Sequence, residues 1–494
     1  MKIYARTIID FLDNSSELFP NKIALIFEKE KYTYRQIREQ SDRLASFLSS
    51  KIKRKEIVAL LLSNRPSFIV SYFAIFKAGG VVLLLEQGIS DDNLRYRILK
   101  TDVKIIVSER RYREKILRSK LPKTVEFLDI DKIDLRGDRF KSVKISPNDA
   151  STIIYTSGTT SEPKAARLRH YNVVEATKNI VDFLKINKND IDVNISSLSH
   201  SFGLGHVHCT FACGATTILF RNSINMNLIM ESIFKYRASM FSATPTILRF
   251  LAFHFRKKFR NYGNHLRVIQ TNISPLEPKL IKAILALLPN VKFAYYYGLS
   301  EASRSTFLTF NKNLRKIGSV GKPMPNVKIK IVDKKGKKVT VGNSGEICIK
   351  GKIVIKDYYK NNKANRQIKN GWLHTGDFGY LDRDGFLFFQ SRRDDIINVS
   401  GEKVSPEEVE ECIKTIPGVM DAAVVGISDK FLGEIVKAYV QVENQNFSTN
   451  QVLEICREKL ETYKIPRAVE IINEIPRTDN GKLRRNILRS YNEN

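Results

Sequence analysis

Short, uniformly apolar runs alternate with helix-length amphipathic segments over residues 1 to about 390, and this alternation restricts the fold more than any other property of the chain. Ile57-Val-Ala-Leu-Leu-Leu62 is one such run and Lys104-Ile-Ile-Val107 another. Around them, Tyr34–Ser50 places Ile37, Leu44, Phe47 and Leu48 at helical spacing, and Asp91–Leu99 also reads as a helix. A strand that is apolar on both faces needs cover on both faces, so the pattern predicts an α/β sheet packed between helices. After about residue 318 the texture changes. Lys328-Ile-Lys-Ile-Val332, a Lys-Gly turn and Gly345-Glu-Ile-Cys-Ile-Lys350 predict antiparallel strands joined by tight turns. Asp382–Gly385 is a further turn, and Phe386-Leu-Phe-Phe-Gln390 a closing strand.

The polar, charged connector Ser391-Arg-Arg-Asp-Asp395 marks a domain boundary. Beyond it, Ser405-Pro-Glu-Glu-Val-Glu410 has a serine for the N-cap, proline at N1 and acids in the first helical turn. Strands over Ala422–Ile427 and Ile435–Val442, a helix over Asn450–Leu460 and a last short strand complete a compact α+β module. The expected division is 1–391, a hinge at 392–395, and 396–494.

At 494 residues with 43% hydrophobic and 27% charged positions, the chain is expected to fold as more than one globular domain. The most apolar stretch, Phe68–Leu85, contains Lys77 and Gly79-Gly80 and suits a buried helix running into a strand, not a membrane span. Charge interrupts the N-terminal residues before any signal-peptide core forms. Five scattered cysteines without C-x-x-C spacing fit free thiols in a reducing, cytoplasmic compartment. The net charge of +30 is spread through clusters such as Lys51-Ile-Lys-Arg-Lys55 and Arg256-Lys-Lys-Phe-Arg260. No nucleic-acid-binding motif accompanies it, so the charge reads first as the solvated faces of a lysine-rich protein and second as attraction for phosphate-bearing ligands or an acidic protein, not nucleic acid.

Chemistry is concentrated in Tyr155-Thr-Ser-Gly-Thr-Thr-Ser-Glu-Pro-Lys164. An apolar strand here opens into a loop rich in hydroxyls and glycine that ends on a lysine. Backbone N–H groups, hydroxyls and a mobile cation together form a concave site for phosphate oxygens. The G-x-x-x-x-G-K-[ST] spacing of a Walker A loop is absent.

Four further motifs follow in order: Tyr296-Tyr-Gly-Leu-Ser-Glu301; Gly371-Trp-Leu-His-Thr-Gly-Asp377; Ser391-Arg-Arg-Asp394 with Gly401-Glu-Lys-Val404; and Pro476-Arg-Thr-Asp-Asn-Gly-Lys482. Together with the loop they resemble the adenylate-forming enzymes, a group that includes acyl-CoA synthetases, luciferases and the adenylation domains of peptide synthetases. The resemblance spans essentially the whole chain. It implies a large α/β domain with doubly covered sheets and a small β-barrel-like subdomain, followed by a small mobile α+β domain. It also implies roles residue by residue. Thr156, Ser157, Gly158, Thr159, Thr160 and Lys164 would hold ATP phosphates, with Tyr297 an adenine platform and Ser300 a phosphate-side hydroxyl. Glu301 would ligate Mg2+, with Thr156 beside it. Asp377 and Arg392 would take the ribose, Asp394 would be the hinge, and Gly401 would line a thiol tunnel. Lys482 would approach the substrate carboxylate and the α-phosphate.

These residue types suit the chemistry. A carboxylate attacking the α-phosphorus of a nucleotide needs charge cancellation and in-line positioning more than a covalent nucleophile. Glu301 offers the hard oxygen that Mg2+ prefers, and Asp377 offers paired acceptors for neighbouring hydroxyls. Taken singly, Asp377 also suits a turn cap, Tyr297 a core aromatic and Lys482 a surface lysine.

The chain departs from the family pattern at Ser161 and Ala165, where glycine is usual; both carry a Cβ, and strain is expected at Ser161 if its backbone is left-handed. Asn272-Ile273 replaces a glycine- and alanine-rich turn, and Leu83–Gln87 lacks the usual proline. Amino-acid-activating relatives carry an aspartate near Ser197-Leu-Ser-His200. His200 in that place points to a carboxylic acid without an α-amine. The expected activity is ATP- and Mg2+-dependent formation of acyl-AMP, then transfer to the phosphopantetheine thiol of coenzyme A. Loading of a stand-alone acyl carrier protein and a catalytically impaired nucleotide-binding homologue remain as alternatives. The sequence sets no oligomeric state.

Overall fold

The computed structural model describes residues 3–133, 140, 143–156, 163–221, 225–272, 276–392, 395–399, 402–429, 433–444, 447–478, 481 and 483–492. The chain forms two compact units, Met1–Lys328 with Ile349–Leu373, and Ile329–Cys348 with His374–Asn494.

The first unit is built on two sheets. A seven-stranded sheet runs in the order Asp357–Tyr358, Lys164–Arg169, Ala150–Thr156, Val81–Leu84, Ile57–Leu61, Ile105–Ser108 and Glu126–Asp129. Its centre is parallel, and both of its faces are buried. Val58 and Leu60 enter one core with Phe68, Tyr72 and Phe76 of the helix Pro66–Lys77. Ala59 and Leu61 enter another with Leu94 and Ile98 of the helix Asp91–Lys100. Alternate side chains therefore serve opposite cores, which is why the strand reads as one apolar run. Lys77, set in that apolar stretch, is 1% exposed and lies 2.8 Å from Asp13 and 2.6 Å from Asp42. Its charge is balanced inside the fold.

The nine-stranded sheet runs Lys322–Pro323, Ala302–Thr309, Lys292–Leu299, Val268–Asn272, Met240–Ser242, Ile191–Asn194, Thr216–Leu219, Ile23–Phe27 and Glu30–Thr33. The six strands from Ile23–Phe27 to Lys292–Leu299 are parallel to one another. Each sheet then turns back on itself once near a functional motif. Ala150–Thr156 pairs antiparallel with Lys164–Arg169, and Lys292–Leu299 with Ala302–Thr309.

In the second unit, Val419–Asp429 and Gly433–Val442 form a long antiparallel pair, and Ala468–Ile471 adds parallel to Gly433–Val442. The helices Pro406–Ile413 and Thr449–Lys459 send Val409, Ile413, Val452 and Cys456 into its core. Sequence reasoning found these strands and helices, but not the hairpin Ile397–Val399 with Glu402–Val404 or the helix Arg485–Ser490. Ser405 stands at the N-cap with Pro406 at N1, yet its hydroxyl caps nothing. It lies 3.0 Å from the Gln390 carbonyl and 2.9 Å from Glu407, as a donor instead of the acceptor the sequence suggested.

All five cysteines are free and buried. Among the described residues no helix is long and apolar enough to cross a membrane.

Candidate active site

The two antiparallel turns of the first unit meet. Thr156 ends one strand and is in register with Lys164, which begins the next. The intervening Ser157, Gly158, Thr159, Thr160 and Ser161 lie outside the described residues. Ala165 pairs with Tyr155 in a regular strand, is 3% exposed, and packs its methyl into the core. Its backbone is not left-handed, so alanine in place of glycine brings no strain there.

Glu301 lies in the tight turn between Lys292–Leu299 and Ala302–Thr309, where Leu299 faces Ala302. That turn needs Gly298: a Cβ there would stand 2.3 Å from the Arg304 nitrogen. Glu301 is 8% exposed. Its Oε1 accepts from the Thr156 hydroxyl at 3.1 Å and from the Tyr358 phenol at 3.2 Å. The same phenol lies 3.3 Å from Gln367 Oε1, and Lys164 Nζ donates to that oxygen at 3.4 Å. Glu301, Thr156, Tyr358, Gln367 and Lys164 thus form one polar cluster. Burial, then the Glu301 carboxylate, pushes the Tyr358 phenol far above its usual value, so it stays protonated and donates.

No lysine, arginine or histidine among the described residues pairs with Glu301. A buried carboxylate held by hydroxyls carries a charge that the described residues leave unbalanced. A hard divalent cation fits that deficit, with carboxylate and hydroxyl oxygens as its donors. Sequence reasoning missed Tyr358 and Gln367, which carry no motif.

Tyr297 sits on the same hairpin, 9% exposed and opposite Thr306, and Ser300 immediately precedes Glu301. His200 occupies the N-cap position of the helix Ser201–Cys213 without capping it. The next two histidines diverge. His206 Nδ1 lies 3.2 Å from Asp192 and 3.3 Å from Ser242, whereas His208 Nε2 lies 3.0 Å from the Tyr72 hydroxyl. Burial, then Arg304, pushes His208 down to about 3, so it is neutral at ordinary pH.

In the second unit Asp377 is 2% exposed and in register with Arg392. Its N–H donates to Thr375 Oγ1 at 3.0 Å. Glu346 braces the turn ahead of it, 2.9 Å from His374 Nδ1 and 3.2 Å from the Gly376 nitrogen. Asp394, Gly401, Lys482 and the Arg392 side chain lie outside the described residues. The residues flanking Lys482 are nevertheless well anchored. Arg477 bonds Asp421 and, at 2.8 Å, the Gly481 carbonyl, and bridges to Leu483.

The sequence matches the family described as AMP-binding enzyme over residues 12–359 and the AMP-binding enzyme C-terminal domain over 408–482. It is 30% identical to a 2-succinylbenzoate–CoA ligase of Bacillus licheniformis, over 97% of this chain and 99% of that one. It is 27% identical to an oxalate–CoA ligase of Arabidopsis thaliana, over 98% of each. The o-succinylbenzoate CoA synthetase of Bacillus subtilis in complex with its acyl-adenylate intermediate superposes with a TM-score of 0.89, at 28% identity and 97% coverage of both chains. The same synthetase in complex with ATP and a magnesium ion gives 0.87, at 28% identity over 98% and 99% of the two chains. The chain belongs to the AMP-binding enzyme family, the adenylate-forming superfamily. Within it the chain falls in the acyl-CoA synthetase branch, as an AMP-forming acid–thiol ligase.

Proposed function

We propose that this enzyme activates a carboxylic acid without an α-amine, and that the residues of the five motifs divide the work as follows. The carboxylate oxygen attacks the α-phosphorus of ATP, the bond to the β-phosphate oxygen breaks, and pyrophosphate leaves. The phosphopantetheine sulfur then attacks the acyl carbon, and AMP departs with the bridging oxygen. Lys164 and the hydroxyls from Thr156 onward receive the outgoing phosphates, Tyr297 and Ser300 flank the nucleotide, and Asp377 with Arg392 takes the ribose. Glu301 and Thr156 would hold Mg2+, which neutralises phosphate charge when bound. Lys482 brings its cation to the carboxylate and α-phosphate for the first step only. A hinge at Asp394, within 392–395, lets the lid of residues 396–494 withdraw Lys482 and present the Gly401 side to the thiol. The observation that carries this reading is Glu301, a buried carboxylate without a cationic partner among the described residues, held by Thr156 where two hairpins meet.

The net charge of +30 favours a second reading for the acceptor, an acidic carrier protein, because a basic surface speeds encounter with an acidic one. Coenzyme A and a phosphopantetheinylated carrier at equal low concentration, offered together, decide between them. Coenzyme A is expected to be acylated faster. A carrier preference above about tenfold, about 1.4 kcal/mol in transition-state free energy, would reverse the order.

A further inference from the structure

Arg304 is the least explained charge in the first unit. It follows Glu301 by three residues in the strand Ala302–Thr309, with φ +52°, a left-handed backbone that side chains other than glycine seldom adopt. Its side chain is 3% exposed. Nη1 donates to the Ser201 carbonyl at 3.3 Å and to Ser303 Oγ at 3.2 Å, and Nη2 to the Phe202 carbonyl at 3.1 Å. The guanidinium stacks 4.9 Å from the Tyr296 ring centre and 5.7 Å from that of Phe202. Room is made for it by Gly205, where a Cβ would stand 2.5 Å from Nη1. Nε has no hydrogen-bond partner, and among the described residues no carboxylate forms an ion pair with the guanidinium; the fully buried Asp192 lies 3.2 Å from His206 Nδ1, deeper in the same cluster.

A guanidinium has five N–H donors. The contacts above engage three of them, on the two terminal nitrogens. The Nε proton and the second Nη2 proton remain, and these two form the edge that binds a carboxylate side-on through two parallel hydrogen bonds. A water molecule could accept from such an edge but could not balance the charge. An anion does both.

The surroundings share this lack of partners. Gln270 is fully buried, and neither its oxygen nor its nitrogen is hydrogen-bonded. It pairs in register with Ser242 on one side and Ala294 on the other. Ser242 lies 3.3 Å from His206 Nδ1, and His206 Nε2 is again unpaired. His206 stacks edge-on against Phe202, 5.2 Å between ring centres. These polar atoms therefore lie between the first turns of the helix Ser201–Cys213 and the ends of parallel strands, where open α/β sheets take their ligands. Leaving a buried polar group unpaired is costly, and a fold that keeps several together has a use for them. The place also adjoins the residue from which the class of acid was read. His200, the residue that argues against an α-amine, immediately precedes the Ser201 whose carbonyl holds Arg304.

We propose that the acid activated here carries a second carboxylate, and that Arg304 is the specificity residue that binds it, with Gln270 and His206 providing polar contacts around it. The inference rests on the acid-activating reading above. It makes the preferred substrate a compact dicarboxylate: one carboxylate is adenylated and the other is held by the free edge of Arg304.

Matched acids test this. Pyrophosphate release by the full chain is measured with dicarboxylates of graded length, aliphatic and aryl, and with the monomethyl ester of each. The dicarboxylate is expected to exceed its half-ester in kcat/KM by on the order of 10²-fold, the scale of a lost charged hydrogen-bond pair. Arg304→Lys keeps the charge but loses the fork. It is expected to raise KM for the dicarboxylate far more than it lowers kcat, and to bring the preference to within about threefold of unity, most of that discrimination being lost. Equal use of diacid and half-ester by the unaltered enzyme overturns the proposal. So does an Arg304→Lys variant that slows both acids alike, because Arg304 is then only a brace for the helix. Thermal shifts with the acids alone, without nucleotide, separate failure of this inference from failure of the activation reading. A rise in Tm with the diacid and not the half-ester, lost in Arg304→Lys, supports the site even if no acid releases pyrophosphate. No shift with any acid, together with no turnover, overturns it.

Discussion

Replacing Lys482 by alanine is expected to slow acyl-AMP formation by roughly 10²–10³-fold, the range seen when one electrostatic contact to a transition state is removed. The expectation follows from charge. In the first half-reaction an anionic carboxylate approaches an anionic phosphate, and a lysine between them offsets repulsion that is greatest as the new bond forms. The thiol step has no such encounter, since the acyl carbon of acyl-AMP is neutral. The same variant, supplied with chemically made acyl-AMP and coenzyme A, is therefore expected to transfer the acyl group at close to the normal rate. Measuring the two halves separately makes the test sharp. Equal loss in both would mean that Lys482 supports the fold, or that the second unit does not exchange one task for the other. Arg477 provides the structural comparison: it ties Gly481 to Asp421 beside the lysine, and its loss should loosen the turn and affect both halves.

Glu301→Gln is expected to have an effect of similar size through a different cause. The amide keeps an oxygen that can accept from Thr156 and Tyr358, so the junction between the hairpins survives. What it loses is the charge that holds the cation. The rate with saturating acid should fall by about 10²–10³, and the Mg2+ concentration for half-maximal activity should rise. Titrating Mg2+ with pyrophosphate release as the readout checks both. If the variant keeps its rate and its Mg2+ midpoint, Glu301 is a structural acceptor and the cation is held elsewhere. Chelating Mg2+ from the unaltered enzyme is expected to stop pyrophosphate release altogether.

How much of this was legible depended on how each residue signals its surroundings. The seven-stranded sheet was plain in Ile57–Leu62 and Lys104–Val107 because a strand buried on two faces has no polar side. Lys77 looked out of place in an apolar run, and its partners Asp13 and Asp42 are too distant in sequence to be matched with it. In the site, Thr156 and Glu301 were visible through their motifs, and the structure places them 3.1 Å apart. Tyr358 and Gln367 complete the cluster from a two-residue strand and the loop after a short helix, where no periodicity exists to read. Arg304 was hidden differently. Among 82 lysines and arginines a single cation carries no signal until its burial is known. Ala165, where the family pattern has glycine, is an ordinary paired strand residue, and its Cβ brings no backbone strain.

The central claim is that a carboxylate oxygen of the acid attacks the α-phosphorus of ATP. Labelling both carboxylate oxygens with ¹⁸O and following the products by mass spectrometry through a complete turnover with coenzyme A tests it directly. The bridging oxygen of acyl-AMP comes from the acid and leaves with AMP when sulfur takes the acyl carbon. One ¹⁸O is expected in AMP, one in the thioester, and none in pyrophosphate. Unlabelled AMP, or ADP with ¹⁸O in released phosphate, would contradict it.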